Sequence, residues 1–445
     1  MSSPTGPSAG LWNVYRVTPG DPPEAAPWRF EGGELPAAGV ACAPQAAVEG
    51  TRFVDCAPAP ARPFDALLLA GASGEPTLVV RTAAGDARLT RLWTRDEPAA
   101  SANVGVRWQH VGDPALGGHG DVWADAGVVF VPREVGVIEL LAASDGRVLG
   151  SLDTRVGQVV AGGPGWILDL KSRDGLLYVS TVARGVLIFD VRDPARPRFL
   201  GQRFTPYGGA ELPFANVHNL FLSPTRPLLY AINHSYAQTD LRIIDVADPA
   251  APRDVGTYRV PEHADIYDGA HDVHIVSIEG REIAFLHAMR SGWFVLDASD
   301  PAAPRTLATA RWPGIFRHSG WPFRSGGRLY YAHADEGPDQ GVTVLDLSDL
   351  AQPRIVSRFQ TRRGTSVHEI EVVDGIAYLA YYIDGLRVVD LRDPARPREI
   401  GHFDTVAASN ERDVLQGAWS VRVLDGQVFL SDGAQGIYAF ALVRP

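Results

Sequence analysis

One motif recurs at nearly constant spacing through this chain and constrains its fold more than any other feature. Histidine opens a short apolar segment four times in succession, at intervals of 53, 47 and 50 residues. These residues are His218, His271, His318 and His368. Each segment leads a unit of about fifty residues, and repeats of this length with several strand-like stretches predict a β-propeller.

The end of each unit is as regular as its beginning. In residues 243–252 an alternating apolar run leads into Asp-Pro, and a second proline follows. The alternation predicts a half-buried strand, which proline ends because it has no N–H for the ladder and fixes φ. The second proline begins the next strand, where the first position tolerates it. A similar pattern recurs in residues 187–197, 297–304, 346–353 and 390–397.

The number of units gives the number of blades. Their first strands begin at His119, Trp166, His218, His271, His318, His368 and Trp419. We therefore predict an all-β chain folded as a seven-bladed β-propeller with four strands per blade. The last unit has only three strand-like segments, so we expect residues 104–108 to supply its fourth strand. That pairing would close the ring and remove an open sheet edge.

The first part of the chain differs in composition from the repeats. Residues 1–100 are rich in alanine, proline and glycine, so we predict an irregular N-terminal extension before a propeller at 101–445. Weak strands are predicted at 66–70, 77–82 and 89–93. Cys42 and Cys56 both lie here, and we expect free thiols in a reducing compartment. In an exported protein they would pair and close a loop of about 15 residues, worth roughly 3 kcal/mol.

Charge and composition exclude several classes of function. The net charge is −11 and no basic run occurs, which argues against a nucleic acid partner. No apolar stretch is long enough to span a membrane. No signal peptide is visible, so a cytoplasmic location is favoured, with export of a processed form as the alternative. The chain lacks a nucleophile elbow, a phosphate loop and a dinucleotide motif, which argues against serine hydrolases and nicotinamide enzymes. The oligomeric state stays open.

The recurring histidines point to a metal centre. In an antiparallel meander, the start of the first strand and the end of the second lie on the same face. Four histidines at the start of consecutive first strands therefore converge near the axis. Imidazole-rich sites suit transition metals, and we favour iron or copper over zinc or manganese as the cofactor. The alternative is that these side chains bond neighbouring blades and line a watery channel.

Other residues on this face are candidates for catalysis. His287 and His333 end second strands, and Tyr381 also falls near the end of one. We name these three as acid–base candidates for a small-molecule substrate. The alternative for both histidines is a supporting place beside the metal ligands or in the pocket wall.

Three further residues are candidate additional or supporting ligands. Asp272 and Glu369 directly follow histidines and would orient neighbouring imidazoles, or else cap strand starts. His119 belongs to a blade that the Trp166 unit separates from the main cluster, so it is a weaker candidate.

Aromatic and cationic side chains complete the predicted face. Trp166 and Trp419 open first strands and are expected either to line a substrate pocket or to plug the channel. Arg290 follows a second strand, where it could meet an anionic group of the substrate.

The inner-strand starts resemble those of LVIVP-repeat propellers, and more closely those of the choice-of-anchor-B type. The similar segments are Trp166-Ile-Leu-Asp169, His218-Asn219, His271-Asp272, His318-Ser-Gly-Trp321, His368-Glu369 and Gly417-Ala-Trp419-Ser420. The resemblance covers roughly residues 119–443 and implies the propeller fold, but it implies no particular reaction. Proteins of that type are typically exported and surface-anchored, and here neither a signal nor an anchor is visible.

Three hypotheses for function follow. The first is a metal-dependent oxidoreductase or oxygenase with an all-histidine centre on the propeller axis, acting on a small organic substrate. Its architectural analogues are the carotenoid-cleaving oxygenases, propellers whose iron is held by four histidines. The second is a redox-silent metal-dependent lyase, hydratase or hydrolase. The third is a non-catalytic propeller for protein–protein interaction, which predicts no tightly bound metal.

Overall fold

The computed structural model describes the strands within residues 41–91 and most of residues 100–442. The gaps in the second range are 162, 164, 209–210, 236–237, 262–268, 313–315, 338–339, 362–364 and 407–415. The five N-terminal strands belong to one compact unit, and most of the chain from residue 100 onward belongs to a second.

The N-terminal unit contains a five-stranded antiparallel meander in chain order. Its strands are β1 (Ala41–Pro44), β2 (Phe53–Ala57), β3 (Phe64–Ala70), β4 (Pro76–Thr82) and β5 (Ala87–Arg91). The last three overlap the three strands that the sequence predicts. Register places Cys42 opposite Cys56 on β1 and β2. Whether the two thiols are free or joined stays a prediction.

The second unit is a seven-bladed β-propeller, which confirms the predicted fold class. Blades 1 and 2 are β7 (Trp123–Asp125), β8 (Val128–Arg133), β9 (Val137–Ala142), β10 (Val148–Asp153), β11 (Ile167–Arg173), β12 (Leu176–Thr181), β13 (Gly185–Asp190) and β14 (Arg198–Arg203). Blades 3 and 4 are β15 (Val217–Leu222), β16 (Leu228–Ser235), β17 (Gln238–Asp245), β18 (Arg253–Arg259), β19 (Asp272–Ile278), β20 (Arg281–Ala288), β21 (Gly292–Asp297) and β22 (Arg305–Ala310).

The remaining blades follow the same plan. Blades 5 and 6 are β23 (Arg317–Ser325), β24 (Arg328–Asp335), β25 (Val342–Asp346), β26 (Arg354–Phe359), β27 (Glu369–Val373), β28 (Ile376–Ala380), β29 (Leu386–Asp390) and β30 (Arg398–Phe403). Blade 7 is β31 (Ala418–Leu424), β32 (Gln427–Asp432), β33 (Gly436–Ala441) and β6 (Val106–His110). The described residues also include one short 3-10 helix, Pro114–Leu116. Within this part of the chain, no helix has the length and apolarity to cross a membrane.

A strand from the N-terminal side closes the ring, as predicted. β6 pairs antiparallel with β33, with Ile437 opposite His110 and Ala439 opposite Trp108. The strand begins two residues later than the predicted segment at 104–108. Trp108 stabilises this closure of the ring, because its indole N–H donates to the carbonyl of Ala143 at 3.1 Å and its side chain packs on Phe429.

Repeated turns and glycines pack one blade against the next. The aspartate that ends a third strand accepts a hydrogen bond from the backbone two residues on, as Asp245 does from Ala247 at 3.0 Å. Glycine in the fourth strand then lets the next turn approach closely. At Gly256 a Cβ atom would lie only 1.7 Å from the carbonyl oxygen of Pro301. Any side chain there would force two blades apart.

Candidate metal centre

Register along the seven inner strands defines three rings of residues around the axis. The first axial ring contains Gly120, Leu168, His218, His271, His318, His368 and Trp419. The second axial ring contains Asp121, Asp169, Asn219, Asp272, Ser319, Glu369 and Ser420. The third axial ring contains Trp123, Lys171, Phe221, His274, Trp321, Glu371 and Arg422.

Irregular pairing explains why consecutive residues reach the same site. Successive side chains of a strand normally point to opposite faces. In four inner strands, however, the register shifts beside the first-ring residue. In blade 5, for example, it shifts between Arg317 and Ser319, which flank His318. Such a bulge redirects the side chain of the extra residue.

The shifts also correct two positions of the sequence alignment. The repeat pattern aligns Trp166 with the four histidines, but register places Leu168 there, with Trp166 two residues earlier. His119 lies one residue before Gly120, in an isolated bridge to Arg133. The alignment is wrong in blade 2 because Trp166, which resembles Trp419 in sequence, lies two residues before the position that strand pairing gives to the first ring.

The structure brings the four predicted ligands together in a row. Ring centroids are 4.0 Å apart for His218 and His271, 4.4 Å for His271 and His318, and 4.3 Å for His318 and His368. The last three residues are at most 5% exposed, whereas the side chain of His218 is 29% exposed. The row is therefore open to solvent mainly at its His218 end.

Burial keeps His271 and His368 neutral at physiological pH. Burial lowers the pKa of His271 well below its ordinary value, and the neighbouring His218 and His318 lower it further. Burial also lowers the pKa of His368 to about 3. A neutral imidazole keeps a lone pair for a metal ion.

Backbone carbonyls hold the imidazoles of His318 and His368 in one tautomer. Nδ1 of His318 lies 3.0 Å from the carbonyl oxygen of His368, and Nδ1 of His368 lies 2.6 Å from that of Trp419. A carbonyl only accepts, so each Nδ1 carries the proton. Each Nε2 is then an acceptor, which is the arrangement that orients histidine ligands in metal sites.

A carboxylate joins the first two histidines. Oδ1 of Asp272 lies 3.1 Å from Nδ1 of His271 and 3.6 Å from Nδ1 of His218. Burial alone would raise the pKa of Asp272, but the two imidazoles hold it well below its ordinary value. Asp272 is therefore an anion between two nitrogen atoms, where sequence reasoning allows either an orienting role or a strand cap.

A second carboxylate joins the other two histidines. Oε2 of Glu336 lies 3.7 Å from Nε2 of His318, and the hydroxyl of Tyr382 donates to Oε1 of the same carboxylate. Burial would raise the pKa of Glu336, yet His318 and His368 bring it below its ordinary value. The donor atoms thus form two sets, each with members within 4.8 Å of one another: His218 with His271 and Asp272, and His318 with Glu336 and His368.

The predicted acid–base histidines form a separate buried pair. The rings of His287 and His333 stack at 4.7 Å with an interplanar angle of 9°. Nε2 of His287 lies 2.7 Å from the hydroxyl of Tyr331, and Nε2 of His333 lies 3.0 Å from Oδ1 of Asp335. His333 is fully buried, whereas His287 also borders the central cavity. Their catalytic role stays a prediction.

The predicted tyrosine and its neighbour lie in different surroundings. Tyr381 is buried in the apolar core between blades 5 and 6, and burial raises the pKa of its hydroxyl. Tyr382 instead contacts His368, with ring centroids 5.2 Å apart, and bonds Glu336. The structure therefore places the residue after the predicted one beside the histidine row.

The remaining predicted residues lie around this face. Trp419 is 37% exposed and its ring centroid is 4.2 Å from that of His368, while Trp166 is 55% exposed. Arg290 is exposed. His119 is buried outside both donor sets, and burial with nearby Arg133 lowers its pKa to about 4.

Sequence reasoning missed one residue of the site and gave another no role. His234 ends the second strand of blade 3, and its ring centroid is 4.9 Å from that of His218. The rule that places His287 on this face would have found it. The same rule places Glu336 on this face, but its contact with His318 depends on the path of the loop after β24, which the repeat pattern does not reveal.

A polar cavity lies along the second and third axial rings. Its water-accessible volume of about 50 Å³ has room for a few water molecules. Asp272, Glu369 and His274 are in its wall, so His274 faces the channel. Glu369 accepts a hydrogen bond from Ser420 at 2.7 Å, and burial raises its pKa to about 7. Glu369 is a member of neither donor set.

Comparison with known proteins supports the repeat propeller. A family model described as "LVIVD repeat" matches residues 236–260 and 364–405, which contain the outer half of blade 3 and all of blade 6. Similarity to choice-of-anchor-B proteins stays a prediction. No curated protein matches the chain significantly.

Solved structures with low sequence identity share the fold. The structure of U3-55K has a TM-score of 0.55 at 11% identity, over 77% of this chain and 99% of that chain. The crystal structure of RRP9 WD40 repeats has a TM-score of 0.55 at 13% identity, over 78% of this chain and 98% of that chain. At such identities the likeness extends to the propeller fold alone.

Proposed function

We propose that this protein is a metal-dependent enzyme whose transition-metal centre lies on the propeller axis at the histidine row. His218, His271, His318 and His368 would hold the metal, and the favoured reaction is oxidation of a small organic substrate. The observation that carries the proposal is the contact of four imidazoles from four consecutive blades.

The chemistry of the donor atoms fits a metal better than a purely structural role. A histidine that only bridges blades needs one hydrogen bond, which Nδ1 of His318 and of His368 already makes. The structure leaves Nε2 of both rings facing the donor set that contains Glu336. Nδ1 of His218 is buried without a hydrogen-bond partner among the described atoms. A buried polar atom of this kind is costly unless something else binds it.

The donor set also suggests which ions fit. Imidazole with carboxylate suits iron, copper or zinc, and thiolate ligands are missing from the described part of the site. A bound iron or copper ion would supply the electron transfer that no side chain here can provide. Zinc at the same position would favour hydration or hydrolysis, which keeps the redox-silent alternative open.

Side chains around the row can hold the proton and the substrate. Tyr382 donates its hydroxyl proton to Glu336, and this pair can pass a proton at the His318 end. Trp419 lies against His368 and leaves part of its ring exposed for an apolar or planar group. The small buried row and the adjoining cavity favour a small substrate.

The test is metal content of protein purified without an affinity tag and reconstituted with copper(II), iron(II) or zinc alone. We expect tight binding of at least one equivalent after gel filtration, and nitrogen hyperfine lines in the EPR spectrum of the copper form. His402→Gln is the matched control, because His402 is a buried histidine on the outer strand β30. Less than about a tenth of an equivalent of every metal would overturn the proposal.

A second candidate function is binding of a protein partner at the same face. The observation that favours it is the exposure of Trp166 and Trp419, since exposed aromatic side chains are common at interfaces. That function requires no metal, so the reconstitution experiment also distinguishes the two candidates.

A further inference from the structure

We infer that the histidine row holds two metal ions, one in each donor set, and that each ion takes two histidines and one carboxylate. The inference rests on the proposed function, because it concerns the same metal centre. It changes the predicted all-histidine site for one ion into two adjacent sites. The first set is His218, His271 and Asp272, and the second is His318, His368 and Glu336.

Distances favour two sets over one. Ligand atoms on a single ion lie about 2.0–2.2 Å from it, so no two of them are more than about 4.4 Å apart. The donor atoms of each set lie within 4.8 Å of one another, which a small side-chain movement brings into range. Among the described residues, no set with donor atoms this close contains all four histidines.

The two sets also present opposite nitrogen atoms. In the first set, Nδ1 of His218 and Nδ1 of His271 face Oδ1 of Asp272. In the second set, Nδ1 of His318 and of His368 is occupied by a carbonyl, so Nε2 is the donor. His271 and His318 are neighbours in the row, yet they turn different nitrogens to different carboxylates. The two pairs of imidazoles are therefore directed toward different carboxylates.

The experiment is metal stoichiometry of the full chain after reconstitution with copper(II) alone, measured by mass spectrometry of the metal against protein concentration. Two equivalents support both the inference and the proposed function. One equivalent overturns the inference and leaves the proposed function intact. No tight binding overturns the proposed function itself.

Single carboxylate variants then test the partition. Asp272→Asn and Glu336→Gln should each lower the stoichiometry from two to one, and the double variant should lower it to zero. Glu134→Gln is the matched control, because Glu134 is an exposed glutamate on the loop after β8. Retention of two equivalents, or loss of both in one single variant, would contradict two separate sites. Circular dichroism and thermal unfolding of the apo variants identify any variant that fails to fold.

Discussion

Blades 3 to 6 and blades 7, 1 and 2 share one fold but differ at the first axial ring. The first group places a histidine there in every blade, whereas the second group has Trp419, Gly120 and Leu168. The second axial ring is polar in all seven blades, so the asymmetry is confined to one level of the channel. The fold therefore does not require histidine at this level.

Hydrogen bonding shows which level the fold does require. Backbone N–H groups of the next blade bond second-ring side chains: Leu220 donates to Asp169 at 2.8 Å and Val122 to Ser420 at 3.1 Å. Val273 of blade 4 donates to Asn219 in the same way at 3.1 Å, so these bonds occur in both halves of the propeller. Second-ring residues therefore hold blades together, and in blades 5 and 6 the first-ring residues His318 and His368 add bonds to the next blade.

The largest effect should separate the two halves by metal content. His368→Ala should lower bound copper from two equivalents to one, because it removes a ligand of the second donor set and leaves the first set intact. Trp419→Ala, at the equivalent position of the other half, should leave copper content unchanged. Both are measured by metal analysis after reconstitution, with thermal unfolding to confirm the fold. Equal loss in both variants would show that the halves do not differ.

The next effect compares the first and second rings within the half that lacks histidine. Asp169→Ala should destabilise the protein by about 3–5 kcal/mol, because it leaves the buried ammonium of Lys171 without its ion-pair partner. Leu168→Ala, one residue earlier and half-buried, should cost only about 1–2 kcal/mol. Urea unfolding of both variants measures the difference. Similar losses would contradict a structural role confined to the second ring.

Low pH should lower the stability of the half that lacks histidine in the first ring, through protonation of His119. Its folded pKa is about 4, below the ordinary value of 6.5, so between these values the unfolded chain binds a proton that the folded chain does not. Stability from this group is therefore complete above pH 6.5 and falls as the pH drops to 4, by about 3 kcal/mol. His119→Gln should flatten that part of the stability profile. An unchanged slope between pH 7 and pH 4 in urea unfolding would argue against this assignment.

The smallest effect concerns the exposed tryptophan of blade 2. Trp166→Ala should change the free energy of unfolding by no more than about 0.5 kcal/mol, because 55% of the residue is exposed. It should also leave metal content unchanged, since Trp166 lies outside both donor sets. Isothermal denaturation and metal analysis check both statements. A large loss of stability would show that Trp166 plugs the channel.

The sequence predicted much of this architecture because its repeat has a physical cause in every blade. Asp-Pro turns fixed the strand ends, and the missing fourth strand of the last unit predicted closure by a segment near β6. The four histidines were predicted to meet, and they do. What the repeat could not give was the local register of blade 2, where strand pairing places Leu168 and not Trp166 in the first axial ring. Contacts made by loops, such as that of Glu336 with His318, could not be predicted from the repeat either.

Closure of the ring by β6 has a consequence for how the chain is made. His110 pairs with Ile437, so the partner strand emerges from the ribosome 327 residues later. At the usual rate of about 5–20 residues per second, β6 waits for roughly 15 to 65 s. During that time the growing sheets have open edges that can pair with other chains. Yield in the cell should therefore depend on synthesis speed and on chaperones that shield nascent strands.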